Sequence, residues 1–258
     1  MSVLDEILQH KRVEVDAARS ALSLEELKDR IRVAPHPRAF RQALLGDGLA
    51  VIAEIKKASP SRGVLSNDFD PVSLAQEFVQ GGAKALSVLT DERFFQGQKS
   101  YIHSIKSVVD VPVLRKDFII DEYQVYESRL IGADAVLLIV RALHQEQLSQ
   151  LYRLARSLKL DVLVEVHTAE EIERANELNA DIIGINNRDL STFHVSLQRS
   201  IDLRPMIHAE AVAVSESGIQ SPNDAAVLRH AGFHAILVGE SLITSTKRAD
   251  TLRLLTRP

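Results

Sequence analysis

The chain contains no cysteine among its 258 residues. That absence excludes a disulfide framework, a thiolate zinc site, an iron–sulfur cluster and a cysteine nucleophile. Tryptophan is missing too, and 8 Phe and 4 Tyr leave few rings to distribute, so several Phe at one place would be informative. Basic runs are missing: the net charge is −4 and the pI about 6.1, and no nucleic-acid footprint is expected. No stretch approaches the ~18 apolar residues of a membrane span. The opening residues, Met1-Ser2-Val3-Leu4-Asp5-Glu6, lack the basic and apolar regions of a leader peptide, so a soluble, cytoplasmic protein is expected. The nine His are scattered without paired ligand spacing, and no metal site is expected.

What the chain does have is charge in unusual places. Three apolar, strand-like runs close on charged residues: Val51-Ile52-Ala53-Glu54-Ile55-Lys56, Pro112-Val113-Leu114-Arg115-Lys116-Asp117 and Val162-Leu163-Val164-Glu165. A buried parallel strand reads as a near-continuous apolar run, so these residues are out of place for packing alone. Glu54 and Lys56 are two apart and share a strand face, as Lys116 does with Leu114 and Glu165 with Leu163. Two lysines and two glutamates from three strands are the makings of an acid–base site. Burial is expected to lower a lysine pKa and raise a glutamate pKa, tuning both toward neutrality. The alternative for each is a structural ion pair inside or at the rim of the fold.

Apolar runs recur at 50–55, 85–89, 112–114, 135–140, 162–166, 182–185, 211–214 and 235–238. Helical patterns fill the gaps. Pro71 to Val79 places apolar residues at 72, 75, 78 and 79 and stops at Gly81-Gly82. Thr168 to Glu171 reads as a capping box, and Ser221-Pro222 as a helix start with Pro at the first position. Gly82-Ala83-Lys84, Gly132-Ala133-Asp134 and Gly232-Phe233-His234 repeat one helix-to-strand turn. Eight such units without a dinucleotide fingerprint predict an α/β chain folded as a (β/α)₈ TIM barrel, rather than an open doubly wound sheet.

Residues 1–48 stand apart from the barrel at 49–258, and the two together are read as one domain. Leu4, Ile7, Leu8, Lys11, Val15 and Ala18 form one stripe of a helix, and Ser23 to Glu26 opens a second helix with a capping box. This N-terminal helical extension is either a stabilising layer or a lid over the mouth.

Several loops after strands carry further candidates. Ser59, Ser61 and Arg62 follow Lys56 and could fold over a phosphate or merely solvate a turn. Phe94, Phe95 and Phe118 follow strands 2 and 3 and suggest an aromatic ligand, with ordinary packing as the alternative. Asn186, Asn187 and Arg188 follow strand 6; for Asn187 a turn-forming role is favoured. Glu216, Ser217 and Gly218 after strand 7, and Leu237, Gly239 and Glu240 after strand 8, lie where such barrels hold a phosphate.

Taken in order, these segments resemble the motifs of the indole-3-glycerol phosphate synthase family. The similarity is carried by Ala53-Glu54-Ile55-Lys56-Lys57-Ala58-Ser59-Pro60-Ser61, Leu114-Arg115-Lys116-Asp117-Phe118, Leu163-Val164-Glu165-Val166-His167, Gly184-Ile185-Asn186-Asn187-Arg188-Asp189-Leu190 and Ser215-Glu216-Ser217-Gly218-Ile219. The resemblance implies a carboxy-lyase of tryptophan biosynthesis, acting without a cofactor as a monomer or weak homo-oligomer. Its implied substrate is a small phosphosugar bearing an aromatic carboxylate, 1-(2-carboxyphenylamino)-1-deoxyribulose 5-phosphate. By similarity Lys116 is the ring-closure acid, Glu165 and Lys56 the base and acid of dehydration, and Glu54 and Asn186 hold anilino and hydroxyl groups. Arg188 resembles a substrate-positioning cation. Ser217, Gly218, Gly239 and Glu240 match the phosphate loops, and Phe95, Phe118 and Leu137 the wall around the aromatic ring. Glu240 stands where many members carry a small hydroxyl residue, and its carboxylate is expected to turn outward, away from a phosphate. Two rivals stand beside this reading. Phosphoribosylanthranilate isomerase shares the barrel but uses a cysteine base that this chain lacks. A non-catalytic phosphate-binding barrel has no use for Lys56, Lys116 and Glu165 together.

Overall fold

The computed structural model describes residues 2–189 and 193–256. Leu190, at the end of one quoted motif, lies outside them. Two helices open the chain, α1 (Val3–Ala21) and α2 (Leu24–Ile31), each started by a serine whose hydroxyl accepts from the backbone three residues on. A short helix, α3 (Phe40–Ala43), leads into strand β1 (Ala50–Ile55). There follow α4 (Pro71–Gln80), β2 (Ala85–Leu89), α5 (Glu92–Phe95), α6 (Ser100–Lys106), β3 (Val113–Lys116), α7 (Glu122–Leu130), β4 (Ala135–Ile139) and α8 (Gln145–Ser157). The chain continues through β5 (Asp161–Val166), α9 (Ala169–Glu177), β6 (Ile182–Asn186), α10 (Gln198–Leu203), β7 (Val212–Glu216), α11 (Pro222–His230), β8 (Ala235–Val238), α12 (Glu240–Ile243) and α13 (Arg248–Thr256).

All eight strands pair in parallel with their sequence neighbours, and β8 returns to β1 with Ala50 opposite Ala235, closing the barrel. Strand alternation sorts the core into two compartments. Ile52, Leu114, Leu137, Leu163, Val214 and Leu237 fill the barrel interior, while Val51, Val88, Val113, Val136 and Val164 face the helices. The interior parity carries Glu54, Lys116, Glu165, Asn186 and Glu216 to one end of the barrel. Their registers agree: Leu89 opposes Lys116, Ile139 opposes Glu165, and Asn186 opposes Glu216. At the other end, Phe40 and Leu44 plug the floor among the small residues that start the strands. Two carboxylates hold this plug, Asp134 accepting from the Arg38 N–H and Asp161 from the Arg41 N–H.

Gly82, Gly132 and Gly232 have φ of 102°, 89° and 87°, the left-handed region that lets each helix turn back into its strand. Strand β3 runs two residues further than its apolar run predicts. Arg115 lies inside it and points out of the barrel, where it is 1% exposed. It contacts Asp117 at 3.0 Å and Glu127 at 2.8 Å, which satisfies a charge that apolar reading would place outside the strand. The capping box at Thr168 is only half formed: the hydroxyl accepts from the Glu171 N–H, but the Glu171 carboxylate reaches past the cap to His167. Among the described residues, no helix is long and apolar enough to cross a membrane.

Candidate active site

A cavity of about 730 Å³ opens at the carboxyl ends of the strands. It brings together Glu54, Lys56, Ser59, Ser61, Arg62, Phe95, Lys116, Phe118, Leu137, Glu165, Asn186, Arg188, Glu216, Ser217, Gly218, Leu237, Gly239 and Glu240, leaving out only Phe94 and Asn187 of the candidates after the strands. Val3, Leu4 and Ile7 of α1 line it as well, so the N-terminal helix roofs part of the mouth in addition to packing on the barrel.

The centre of the cavity is a chain of opposite charges. Lys56 Nζ contacts Glu54 Oε1. Lys116 Nζ lies 3.2 Å from Glu165 Oε2 and 3.8 Å from Glu216 Oε2. Burial alone would lower the Lys116 pKa, but Glu165, Glu216 and Glu54 outweigh it and raise it. Burial likewise works to raise Glu165, and Lys116 with His167 reverses that, leaving the carboxyl below its ordinary value. Glu54 is also lowered, burial being overcome by Lys56 and Lys116. The expectation that burial shifts these lysine and glutamate values toward neutrality is therefore corrected for Lys116, Glu54 and Glu165: opposite charges a few ångströms away exceed the desolvation penalty. Glu216 takes the other course. Burial and the nearby Glu165 push it up to about 8, so this group carries the proton that three clustered carboxylates cannot all do without.

Two glycines make room for this cluster. A Cβ on Gly184 would lie 2.2 Å from Glu216 Oε1, and one on Gly239 would lie 2.4 Å from Glu54 Oε1. Gly239, expected at a phosphate loop, thus also seats a carboxylate, and Gly184 was invisible as a site residue because its role is empty space. On one side of the charges stands an apolar wall. Phe95 and Phe118 lie 6.0 Å apart, centroid to centroid, beside Leu137 and Leu237. Phe94 does not join them; it turns to α1, where its ring meets His10 edge-on at 5.9 Å.

The other side is polar. Ser217 and Gly218 both have positive φ, 68° and 83°, which turns the chain sharply after β7. Ser59 and Ser61 face this region from the loop after β1. Glu240 departs from expectation. Its carboxylate does not turn outward but accepts from Arg62 Nε at 2.8 Å and Arg188 Nη2 at 3.4 Å. Two guanidinium groups compensate the charge where an isolated carboxylate would point to water. Asn187 lies below the cavity floor, fully buried, and ties Ser215, Ser217 and Ser200 together, the structural role that its turn-forming character suggested.

Three buried charged or polar residues escaped sequence reasoning. Lys11, placed in the apolar stripe of α1, is 2% exposed and contacts Asp91 at 2.8 Å, Asp117 at 2.9 Å and Glu14 at 2.6 Å. Asp91 caps α5, which carries Phe95, and Asp117 follows Lys116. Arg115 joins the same network from below. His167 sits behind Glu165, out of the cavity. The one available signal was position: each lies within two residues of, or in the stripe facing, a strand end already marked by charge.

Comparison with known proteins gives this arrangement a family. Residues 4–255 match the family model described as indole-3-glycerol phosphate synthase. Indole-3-glycerol phosphate synthase of Chlorobium luteolum is 52% identical over 248 residues, covering 95% of this chain and 94% of that one. Its counterpart from Chloroherpeton thalassium is 49% identical over 253 residues, covering 96% and 97%. Among solved structures, a 3-hexulose-6-phosphate synthase aligns with a TM-score of 0.66 over 81% of this chain and 98% of that one, at 14% identity, a likeness of fold alone. With matched family sequence along almost its whole length, and with the charged strand ends of that family's motifs gathered in one cavity, the chain belongs to the indole-3-glycerol phosphate synthase family.

Proposed function

We propose that Lys116, Glu165 and Lys56 divide the acid–base work of the family reaction between them. The chain is a carboxy-lyase of tryptophan biosynthesis: it closes the indole ring of 1-(2-carboxyphenylamino)-1-deoxyribulose 5-phosphate, releasing CO₂ and water to give indole-3-glycerol phosphate. The observation that carries the division of roles is the Lys116–Glu165 contact at 3.2 Å, set between an aromatic wall and a polar loop region.

In this reading the substrate's anthranilate ring lies against Phe95, Phe118 and Leu137, and its phosphate lies by Ser217, Gly218, Gly239 and the Glu240 backbone. Arg188 and the hydroxyls of Ser59 and Ser61 complete that end. Lys116, held protonated by its carboxylate neighbours, donates to the ribulose carbonyl oxygen as the aryl carbon attacks. The carboxylate on that carbon leaves as CO₂ and its bonding pair restores the aromatic ring. Lys56, released from Glu54 when the substrate carboxylate arrives, steadies that anion before it departs. Glu165 then takes a proton from the carbon next to the nitrogen, and hydroxide departs as water with a proton from a lysine. Glu54 and Asn186 hold the anilino nitrogen and sugar hydroxyls, with Glu216 and Leu237 beside them. No metal or cofactor enters any step. The N-terminal helices and barrel act as one domain, all groups come from one chain, and a monomer or weak homo-oligomer in the cytoplasm suffices.

Indole fluorescence reports product formation directly. Lys116→Ala is expected to lower kcat by at least about 10²-fold while product still binds. Turnover undiminished in that variant overturns the acid role of Lys116, and binding without turnover in the unmodified chain favours the phosphate-binding barrel instead.

A further inference from the structure

Glu165 presents its two oxygens to different partners. Oε2 faces the Lys116 ammonium at 3.2 Å, inside the cavity. Oε1 faces His167 Nε2 at 3.5 Å, behind it. His167 is two residues further along, just past the end of β5, and its side chain is 1% exposed. Nothing else reaches Nε2: among the described residues it has no hydrogen-bond partner. A buried ring nitrogen without a partner, aimed at the group assigned as the base, calls for an account.

The far side of the ring supplies one. Glu171 Oε2 accepts the His167 backbone N–H at 2.8 Å and lies 3.3 Å from Nδ1. A carboxylate accepts only, so the proton of a neutral ring sits on Nδ1 and Nε2 keeps its lone pair. Arg141 Nε donates to the other Glu171 oxygen at 3.0 Å and holds that carboxylate in place. The charged groups facing His167 are therefore Glu165 from β5 and Glu171 from α9, with Arg141 behind Glu171. A lone pair pointed at a charged carboxylate gains nothing while Glu165 is ionised. It becomes a good acceptor when Glu165 has been protonated.

We propose that His167 is a positioning residue for Glu165 which also relieves it of the proton taken from substrate. The inference rests on the assignment of Glu165 as base. In the dehydration step the substrate C–H bond breaks, its proton goes to Glu165, and the electron pair forms the new ring double bond as hydroxide leaves with a lysine proton. The proton on Glu165 then passes from Oε1 to His167 Nε2. Glu165 is restored as a carboxylate, and the imidazolium that forms lies between it and Glu171, two negative charges that stabilise it. From there the proton returns through Glu165 to the Lys116 amine, which lost its own to the carbonyl oxygen. The lysine whose proton left in the water regains one from solvent, which is the one proton the overall reaction takes up as the substrate carboxylate leaves as CO₂. With Oε1 on the His167 side, Oε2 is the oxygen left to meet Lys116.

His167→Gln keeps the size and a hydrogen-bond donor but removes the titrating ring, and Glu171→Gln removes the charge that fixes the tautomer while leaving His167 in place. kcat, KM and the pH dependence of kcat are measured for both, with Glu165→Gln as the reference. For His167→Gln, kcat is expected to fall on the order of tenfold, less than the 10²–10⁴-fold typical of losing a base itself. KM stays within about twofold, since His167 does not line the cavity. The acid limb of the kcat profile moves, because the proton that limb reports is shared between Glu165 and His167 only while the ring is present. Glu171→Gln moves both quantities the same way by a smaller factor, and it decides the matter alone if His167→Gln does not fold. An unchanged kcat and profile overturns the proposal, as does a fall in kcat with an unmoved acid limb, which is the mark of packing alone. If Glu165→Gln retains kcat, the base assignment itself fails; if Glu165→Gln is inactive and His167→Gln is normal, only the role of His167 fails.

Discussion

Replacing Lys11 by Met tests whether α1 is tied to the barrel by charge or by packing. Met keeps most of the methylene length and the burial, so the substitution isolates the ammonium. In the folded chain that ammonium contacts Asp91, Asp117 and Glu14, and it is 2% exposed. Asp117 retains Arg115 and Thr90, whereas Asp91 loses its ion-pair partner. Breaking a buried pair from one side costs about 3–5 kcal/mol. At about 2–4 °C per kcal/mol for a domain of this size, Tm should fall by roughly 6–20 °C. The pH dependence is also fixed. Lys11 is raised above its unfolded value, burial being outweighed by Asp117 and Asp91, so its contribution is complete at neutral pH and is lost only as the medium turns strongly alkaline. Asp117 is lowered: burial is outweighed by Arg115 and Lys11, and its contribution is present above its unfolded value and lost as pH falls through the folded one. In Lys11→Met, Asp117 loses one of the two cations that hold it low, so the gap between variant and parent narrows as pH falls through the acid range in which Asp117 protonates. Thermal unfolding followed by circular dichroism reads both quantities. A Tm within about 2 °C of the parent at pH 7 would refute the argument, because the Lys11 ammonium would then add nothing to what packing and the Arg19–Asp121 pair supply.

Three further outcomes follow from the cavity. Glu216, pushed up to about 8, destabilises the fold increasingly as pH rises from its unfolded value toward that point, so Glu216→Gln should gain Tm relative to the parent at pH 8 and gain little at pH 5; equal gains at both would disprove the shared proton. Gly184→Ala puts a methyl 2.2 Å from Glu216 Oε1, and should cost about 1–3 kcal/mol and lower kcat more than it raises KM, as measured by thermal melts and the indole assay. Arg62→Ala leaves Glu240 with Arg188 alone at the proposed phosphate end, so KM should rise several-fold, more at low salt than at high, and a salt-independent KM would remove charge as the reason.

The barrel was readable because its strands and helices carry different periods, and the eight apolar runs fall within one or two residues of the strands. The interior residues were readable for the same reason: Lys116 shares parity with Leu114, and Glu165 with Leu163, so a charged residue at an inward position announces itself. What sequence could not give was the depth of the second layer. Lys11 reads as a break in an apolar stripe, and only the fold places two aspartates from distant loops against it. Glu171 has the spacing of a capping residue, and its carboxylate is instead drawn to His167. Glu240 looked like an unpaired anion, because the two arginines that meet it come from 52 and 178 residues away in the chain. Each miss is a pairing across elements, which local propensity does not encode.

The cluster also explains how one cavity can be rich in carboxylates and still admit a substrate with a carboxylate and a phosphate. Lys56 and Lys116 face Glu54, Glu165 and Glu216, one positive charge too few for neutrality. A proton on Glu216 closes that difference at neutral pH. The remaining negative groups are not free to repel: Glu54 is turned onto Lys56 over Gly239, and Glu165 is divided between Lys116 and His167. In the proposed binding mode an incoming carboxylate meets the Lys56 side of this chain of charges, and the phosphate meets the far end with Arg62 and Arg188, whose present partner is Glu240. The substrate anions thus take over these cations as partners at both ends, while Glu54 and Glu240 remain in the cavity, so every internal negative charge counts against the substrate. Such exchange avoids the desolvation cost of bringing an unpaired anion into a buried site, and it requires Glu216 to be protonated before substrate arrives. Substrate affinity should accordingly fall as pH rises through about 8 in the parent and stay level in Glu216→Gln, a difference that the pH dependence of KM reads directly.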